Sequence, residues 1–333
     1  MRVAVIGAGV AGLTAALAFA RRGCEVRVYE RGPSLGATSC SRYAGGMLAP
    51  WCERESAEPQ VVELGREALA YWPKVHPGTL QHGSLVLAPR RDERELDRFA
   101  RRTSRYQTLD ADGLAELEPD LAGRFGRGLF FADEAHLDPR AALPSLADRL
   151  AEQGVPIRFG VDALAEPPKA DLRVDCRGLA ARDRLADLRG VKGEMLILRC
   201  RDVTLNRPVR LLHPRFPLYI VPRPDNLFMV GATMIESDER SRVTARSMVE
   251  LLNAAYALHP AFGEAEIVEI GADVRPAFAD NLPRVRRDGD NLYLNGLFRH
   301  GFLLSPALAR IATELVLDNQ QIQGITEITG GHK

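Results

Sequence analysis

Three glycines and a glutamate near the start of the chain have the residue types and spacing of a dinucleotide site. Gly7, Gly9 and Gly12 form a G-x-G-x-x-G pattern, and Glu30 ends the next apolar stretch. Such glycines permit a tight turn, a close approach of the backbone to a pyrophosphate and close packing of the following helix. A carboxylate at Glu30 can accept hydrogen bonds from ribose hydroxyls and would repel a 2′-phosphate. The pattern predicts a site for the adenosine diphosphate of NAD or FAD and disfavours NADP.

A second glycine motif lies in the segment SRYAGGMLAP, residues 41–50, where Gly45 and Gly46 directly precede Met47. By themselves, paired glycines are typical of a buried turn. The segment, however, resembles the flavin-contacting part of the D-amino-acid oxidase-like FAD oxidoreductases, and AGGMLAP is most similar to the glycine oxidases of thiamine biosynthesis. The resemblance implies that Gly45 and Gly46 leave room for the flavin ring, where a side chain would collide, and that Met47 lines the floor of the site.

The resemblance to this family extends over nearly the whole chain. Two stretches depart from the family pattern: VDCRGLAA, which weakens any cofactor role for Cys176 or Arg177, and GADVRP, which keeps the Arg-Pro pair. The further segments that resemble the family, in the expected order, are FFADEAHLDPRAAL, LRGVKGEMLIL, LYIVPRPDNLFMVGATMIES, GADVRPAFADNLP and NGLFRHGFLLSPALA.

The resemblance implies FAD as the cofactor and implies which residues contact it. The loop before the last helix would offer backbone N–H groups to the flavin, and the helix N-terminus would face the negative charge that collects there on reduction. His300 in this loop either tunes the flavin or caps the loop, and we predict that the last helix begins at Ser305 and Pro306. The implied FAD contacts are Gly7, Ala8, Gly9, Val10, Ala11, Gly12, Glu30, Arg31, Ser41, Arg42, Gly45, Gly46, Met47, Val161, Gly178, Gly296, Arg299, His300, Gly301, Phe302, Leu303 and Leu304.

Arginines carry the substrate chemistry that the resemblance implies. Oxidation of an amino acid by a flavin needs a carboxylate anchor, but no acid or base on the protein if the amine binds neutral. Arg275 would be the bidentate partner of the substrate carboxylate, because the planar guanidinium matches carboxylate geometry. Arg299 would be a second contact and Tyr219 would close the pocket. Without the resemblance, an arginine is usually a solvated surface group and a tyrosine in an apolar strand usually belongs to the core.

The implied activity is the oxidative deamination of glycine, and of other small amines, by O2. The products are an imine or glyoxylate, ammonia and H2O2, and the imine would supply the thiazole of thiamine. One alternative is a D-amino-acid or sarcosine oxidase of the same fold. Another is a flavin-binding subunit without turnover, which would need no carboxylate anchor.

Periodic runs predict the elements that position these residues. Residues 3–6 and 25–30 have the pattern of strands, and residues 13–22, capped by Gly23, that of a helix, so they form a βαβ unit. Asp138 is a candidate N-cap with Pro139 at the first position of a later helix. Short strands, with RPDN as a hairpin turn, predict an antiparallel sheet; they are GSLVLAPR, GLFFADEA, GEMLILRC, LYIVPRPDNLFMVGAT and EIVEIGADVRPAF.

We therefore predict an α/β fold of two interleaved domains. A Rossmann-like FAD-binding domain would comprise residues 1–75, 140–189 and 270–333. A substrate-binding domain with a mainly antiparallel β-sheet would comprise residues 76–139 and 190–269.

Composition excludes several other classes of protein. The 44 basic and 44 acidic residues cancel, so no basic excess favours nucleic acid or an anionic membrane. The N-terminus MRVAVIGAGV has the pattern of a strand rather than of a membrane span or signal peptide, which predicts a cytoplasmic protein. Neither the 5 cysteines nor the 7 histidines show metal-ligand spacing, so we expect no metal and no disulfide framework. The resemblance implies a homo-oligomer.

Overall fold

The computed structural model describes residues 1–212 and 218–329, which contain both helices and strands. The helices there are α1 (Val10–Arg21), α2 (Pro50–Glu53), α3 (Pro59–Val75), α4 (Arg94–Arg102), α5 (Ala111–Leu117), α6 (Pro139–Glu152), α7 (Ala245–Leu258) and α8 (Gly301–Leu317). The strands are β1 (Arg2–Ile6), β2 (Glu25–Glu30), β3 (Met47–Leu48), β4 (Ser84–Leu87), β5 (Gln107–Asp110), β6 (Arg127–Phe131), β7 (Ala135–His136), β8 (Ile157–Phe159), β9 (Leu172–Asp175), β10 (Arg189–Arg199), β11 (Val209–Leu211), β12 (Leu218–Arg223), β13 (Leu227–Gly231), β14 (Ile235–Glu236), β15 (Glu266–Ala277), β16 (Arg284–Asp288), β17 (Asn291–Asn295) and β18 (Thr326–Thr329).

The first sheet has seven strands in the order β18-β16-β17-β9-β1-β2-β8. β1 pairs in parallel with both β2 and β9, so the glycine-rich turn lies at the carboxyl edge of the sheet. The predicted βαβ unit is confirmed. Helix α1 begins at Val10, earlier than predicted, because Gly9 in extended backbone serves as its N-cap. Gly23, at φ 78°, follows the helix as predicted.

The second sheet has the order β14-β10-β13-β12-β11-β4-β6-β5, and β15 pairs along the other edge of β10. Its pairs are antiparallel except for β11 with β4, so the prediction of a mainly antiparallel sheet is confirmed. Asp225 and Asn226 between β12 and β13 have φ of 63° and 56°, the positive angles that a tight hairpin turn requires.

The domain boundaries stay predictions, and two strands lie across them. β10 begins at Arg189, one residue before the predicted boundary, and β15 runs from Glu266 through residue 270 to Ala277. Residues 213–217 and 330–333, which belong to the two predicted domains, lie outside the described part of the chain. The prediction for the helix at Asp138 is confirmed, because its carboxylate accepts a hydrogen bond from Arg140 N at 2.9 Å.

The predicted start of the last helix is wrong. α8 begins at Gly301, so Pro306 lies inside it rather than at its first turn. A proline there removes the N–H that would bond to the carbonyl of Phe302 one turn earlier. The indole of Trp72 on α3 donates to that carbonyl instead, at 2.7 Å, so the helix tolerates the proline.

Candidate active site

A cavity of about 600 Å³ is lined by residues of both sheets and brings most of the predicted site residues together. Cavities of this volume are typical of sites for cofactors and small molecules. The predicted residues that line it are Gly7, Gly9, Val10, Ala11, Glu30, Arg31, Ser41, Gly45, Gly46, Met47, Val161, Gly178, Tyr219, Arg275, Arg299, His300, Gly301, Phe302 and Leu303.

The other five predicted residues do not line the cavity. Ala8 donates its N–H to Glu30 instead, at 2.8 Å. A Cβ on Gly12 would stand 1.9 Å from the Gly7 carbonyl oxygen, so Gly12 permits the turn to pack on α1. Arg42 is exposed, Gly296 faces the ring of Phe278, and Leu304 is buried in the core of the first sheet.

One end of the cavity combines a carboxylate with a helix N-terminus. Glu30 is buried and accepts hydrogen bonds from the N–H groups of Ala8 and Gly32, at 2.8 and 2.7 Å, and from the Thr38 hydroxyl, at 2.9 Å. It therefore anchors the glycine-rich turn as well as lining the cavity. α1 starts at this cavity with no acidic residue in its first turn, and its first N–H, that of Val10, donates to the Ser41 hydroxyl at 3.1 Å. Such an end attracts a phosphate group.

A second helix N-terminus opens on the same cavity. Gly301, Phe302 and Leu303 in the first turn of α8 line it, and that turn also has no acidic residue. The side chain of His300, the N-cap residue, makes no capping hydrogen bond. Its Nε2 instead lies 2.9 Å from Glu53, so the side chain does not cap the helix, and the alternative that His300 tunes the flavin stays a prediction.

The two glycines of the AGGM motif make room for protein atoms. A Cβ on Gly46, at φ 75°, would stand 2.1 Å from the Leu137 carbonyl oxygen. One on Gly45 would stand 2.7 Å from the Tyr219 ring. A Cβ at either position would therefore meet protein atoms, while both glycines also line the cavity, and their role in leaving room for the flavin ring stays a prediction. The simple alternative, a tight turn that other residues cannot make, describes Gly46.

Tyr219 and Arg275 project into the cavity from the second sheet. Tyr219 on β12 is half-buried, lines the cavity and also packs against the small apolar cluster around Met195 and Met229. Arg275 on β15 lies beside Gly193 of β10, where a Cβ would be 2.2 Å from its Nη2. Its Nη1 donates to the carbonyl of Thr233 at 3.0 Å. Within the described residues no carboxylate lies within 4.0 Å of Arg275, so its charge is available to a ligand.

Arg299 differs from Arg275, because its guanidinium forms an ion pair with a buried acid. Glu53 on α2 places Oε2 2.5 Å from Arg299 Nη2, and its Oε1 accepts a hydrogen bond from Arg210. Burial would raise the pKa of Glu53, but the guanidinium groups of Arg299 and Arg210 hold it well below its ordinary value. Burial lowers the pKa of His300, despite its contact with Glu53, so this imidazole is neutral.

Sequence reasoning missed Glu53. The only local signal is an acidic residue at the end of the apolar run AGGMLAPWC, a few residues after the recognised glycines. Its partners Arg210, Arg299 and His300 are far away in the chain, so no spacing links them.

The residues of the cavity fit FAD. Two helix N-termini without acidic first-turn residues face one cavity, and a carboxylate suited to ribose hydroxyls lies beside the first of them. Within residues 1–212 and 218–329, no cluster of His, Cys, Asp or Glu is arranged to hold a metal ion. In the same ranges no helix has the length and apolar character needed to cross a membrane.

The mostly parallel first sheet with its glycine-rich turn, joined to a sheet that brings an arginine to the same cavity, defines a dinucleotide-dependent oxidoreductase. The profile of the DAO family, described as FAD dependent oxidoreductase, matches residues 2–315, and the chain belongs to this family. It is thus an enzyme whose cofactor is FAD.

Three similar proteins extend this assignment. The chain is 56% identical to the "Putative thiamine biosynthesis oxidoreductase ThiO" of Rhizobium etli, over 96% of this chain and 98% of that one. It is 26% identical to the glycine oxidase of Bacillus licheniformis, over 95% of this chain and 92% of the relative. The crystal structure of glycine oxidase from Geobacillus kaustophilus superposes with a TM-score of 0.82 at 24% identity, covering 97% of this chain and 96% of that chain, which shows the same fold.

Proposed function

We propose that this enzyme oxidises glycine. Glycine, O2 and water would give glyoxylate, ammonia and H2O2, with the imine of glyoxylate as the first product. The names of the Rhizobium etli and Bacillus licheniformis relatives support glycine as the substrate and thiamine biosynthesis as the use of the imine.

The observation that carries the proposal is Arg275. It is a partly buried arginine in the wall of the cavity, with no acidic partner among the described residues, and it comes from the sheet opposite the glycine-rich turn. A small amino acid supplies the missing carboxylate, and two parallel N–H···O bonds would fix its orientation. Arg31, the other cavity arginine with no acid within 4.0 Å in the described part, is exposed and follows Glu30 directly.

Each part of the cavity would then have one task. When bound, FAD supplies the electron acceptor for the Cα–H bond of the substrate and passes the electrons to O2. Arg275 holds the substrate carboxylate, and the Tyr219 ring, packed against Gly45, closes the pocket beside it. The first turn of α1 holds the diphosphate, and the first turn of α8 offers its positive end to negative charge that develops in the cavity. His300, being neutral, adds no second cation there.

The remaining details of the proposal concern the whole protein. We propose a cytoplasmic homo-oligomer with the domain boundaries predicted above. Any secondary contact of Arg299 with the substrate would be made with its guanidinium still paired to Glu53. The family resemblance supports the oligomer, and light scattering of the purified protein tests it.

Anaerobic reduction of the purified yellow protein tests the proposed substrate. Glycine, sarcosine and D-alanine are added separately without O2, and the loss of flavin absorbance is followed. Glycine should reduce the flavin most efficiently. Faster reduction by D-alanine or sarcosine would instead favour the alternative oxidases, and no reduction by any of them would favour a flavin-binding subunit without turnover.

A further inference from the structure

Two arginines at the substrate side of the cavity differ in how their charge is compensated. Among the described residues, the Arg275 guanidinium donates only to a backbone carbonyl, that of Thr233, at 3.0 Å. Arg299 meets Glu53 at 2.5 Å and donates to the hydroxyl of Ser56 at 2.6 Å. One arginine is therefore available to an anion, while the other is already occupied.

Glu53 is well placed to keep Arg299 occupied. Its side chain is only 11% exposed, it lines the cavity, and both of its oxygens contact guanidinium groups, Oε1 that of Arg210 and Oε2 that of Arg299. His300 Nε2 adds a third contact at 2.9 Å. Since the two arginines stabilise the ionised carboxylate, Glu53 carries a full negative charge at neutral pH.

Binding of a second substrate carboxylate beside Arg299 would be unfavourable. If it approached Arg299, it would also approach the charged carboxylate of Glu53, and like charges at such distances repel strongly in a partly buried site. It would have to displace Glu53 Oε2 from Arg299, which would remove one of the two guanidinium partners of this buried acid. A substrate with one carboxylate needs only Arg275 and avoids both costs.

We infer that Glu53 is a specificity-determining residue, which occupies Arg299 and Arg210 so that the pocket accepts amino acids with one carboxylate and rejects those with two. The inference rests on the proposed function, in which Arg275 anchors the substrate carboxylate. Glu53 acts through Arg299, so it is a positioning residue rather than a catalytic one.

The test compares the holoenzyme with its Glu53→Gln variant. Binding of acetate, malonate and succinate is measured at pH 7 from the change in flavin absorbance, and iminodiacetate is measured as a substrate. In the wild type, the dicarboxylates should bind at least about tenfold more weakly than acetate. In Glu53→Gln the Kd of malonate or succinate should fall by about tenfold or more, while that of acetate changes by less than about threefold. Iminodiacetate should gain kcat/KM relative to glycine.

Glu134→Gln is the matched control, because Glu134 is another buried acid close enough to Arg210 for their charges to interact. Glu134 does not line the cavity, and burial raises its pKa to about 8, so it is mostly neutral at pH 7 and glutamine resembles it. Its Oε1 accepts a hydrogen bond from Cys52 N at 2.8 Å, which an amide oxygen can also accept. This variant should keep the wild-type preference for acetate.

A second variant covers the case in which Glu53→Gln does not fold. Arg210 is buried and would lose its acidic partner. The double variant Glu53→Gln/Arg210→Gln removes this buried cation, keeps the net charge of the cluster and still frees Arg299, so it should show the same gain in dicarboxylate binding.

The possible results separate the inference from the proposed function. If Arg275→Ala still binds acetate normally, the proposed anchor is wrong. If acetate binding requires Arg275 but neither Glu53 variant improves dicarboxylate binding, the inference about Glu53 is overturned and the proposed function stands.

Discussion

Replacing Arg275 with alanine is the perturbation that examines the active site most directly. The change removes the guanidinium beside Gly193 and leaves the carbonyl of Thr233 without this donor. Arg299 cannot take over without giving up Glu53 and Ser56, which hold it at 2.5 and 2.6 Å. The variant should therefore bind FAD normally but bind the substrate carboxylate much more weakly.

The size of the loss follows from the type of bond. A hydrogen bond to a charged group contributes about 1.5 to 3 kcal/mol, and a bidentate pair in a partly buried site lies at or above the upper end. Since about 1.4 kcal/mol corresponds to a factor of ten, kcat/KM for glycine should fall by about two orders of magnitude or more. Arg275→Lys should recover only part of this, because lysine keeps the charge without the planar fork.

A change on the neighbouring strand tests the same geometry independently. Gly193→Ala would place a Cβ 2.2 Å from Arg275 Nη2, so the guanidinium must move. This variant should lose part of the activity that Arg275→Ala loses, with unchanged FAD content. Arg149→Ala, on the exposed face of α6, is the matched control for loss of an arginine and should behave like the wild type.

The assay is steady-state oxygen consumption with glycine and with methylamine, which lacks the carboxylate. Arg275→Ala should lose the preference for glycine over methylamine, because the discriminating group is gone. If Arg275→Ala oxidises glycine with near-normal efficiency, other residues anchor the carboxylate and the proposed active site is wrong.

Three further outcomes are expected. Denatured protein should release FAD and not FMN, because the turn at α1 suits a diphosphate; recovery of FMN by chromatography would contradict this. Gly46→Ala should lower the melting temperature far more than Gly23→Ala, because both have positive φ but only Gly46 has a backbone oxygen 2.1 Å from the new Cβ; equal melting temperatures would refute the steric reason. Burial raises the pKa of Glu134 from 4.5 to about 8, so the folded state binds this proton more tightly and wild-type stability should fall as pH rises through that range. Glu134→Gln has no proton to lose at this position, so its melting temperature minus that of the wild type should increase from pH 6 to pH 8.5. If this difference stays constant, Glu134 is not protonated in the folded protein.

The parts of the molecule that could be predicted from sequence depend on neighbours along the chain. The βαβ unit around Gly7 to Glu30, the turn at Asp225 and Asn226, and the cap at Asp138 are each specified by a few consecutive residues. Backbone angles, capping bonds and apolar periodicity act over such distances, so residue type and spacing are enough to identify them. The family resemblance added the cofactor, which the β1–α1 turn alone leaves between NAD and FAD.

The electrostatic state of the site was decided by the tertiary structure. Glu53 and His300 are 247 positions apart, and Ser56 and Arg299 are 243 apart, yet their side chains meet at the cavity. Likewise the indole of Trp72 donates a hydrogen bond to the carbonyl of Phe302, which lies 230 positions later in the chain. This bond lets α8 continue through Pro306. Whether a Cβ on Gly46 would have room depends on where the Leu137 carbonyl lies. Residue types alone determined which groups could be charged or flexible. Only the packing of distant segments determined which charges are paired and which partly buried cavity arginine of the described residues, Arg275, is left for a ligand, because pairing depends on distance through space.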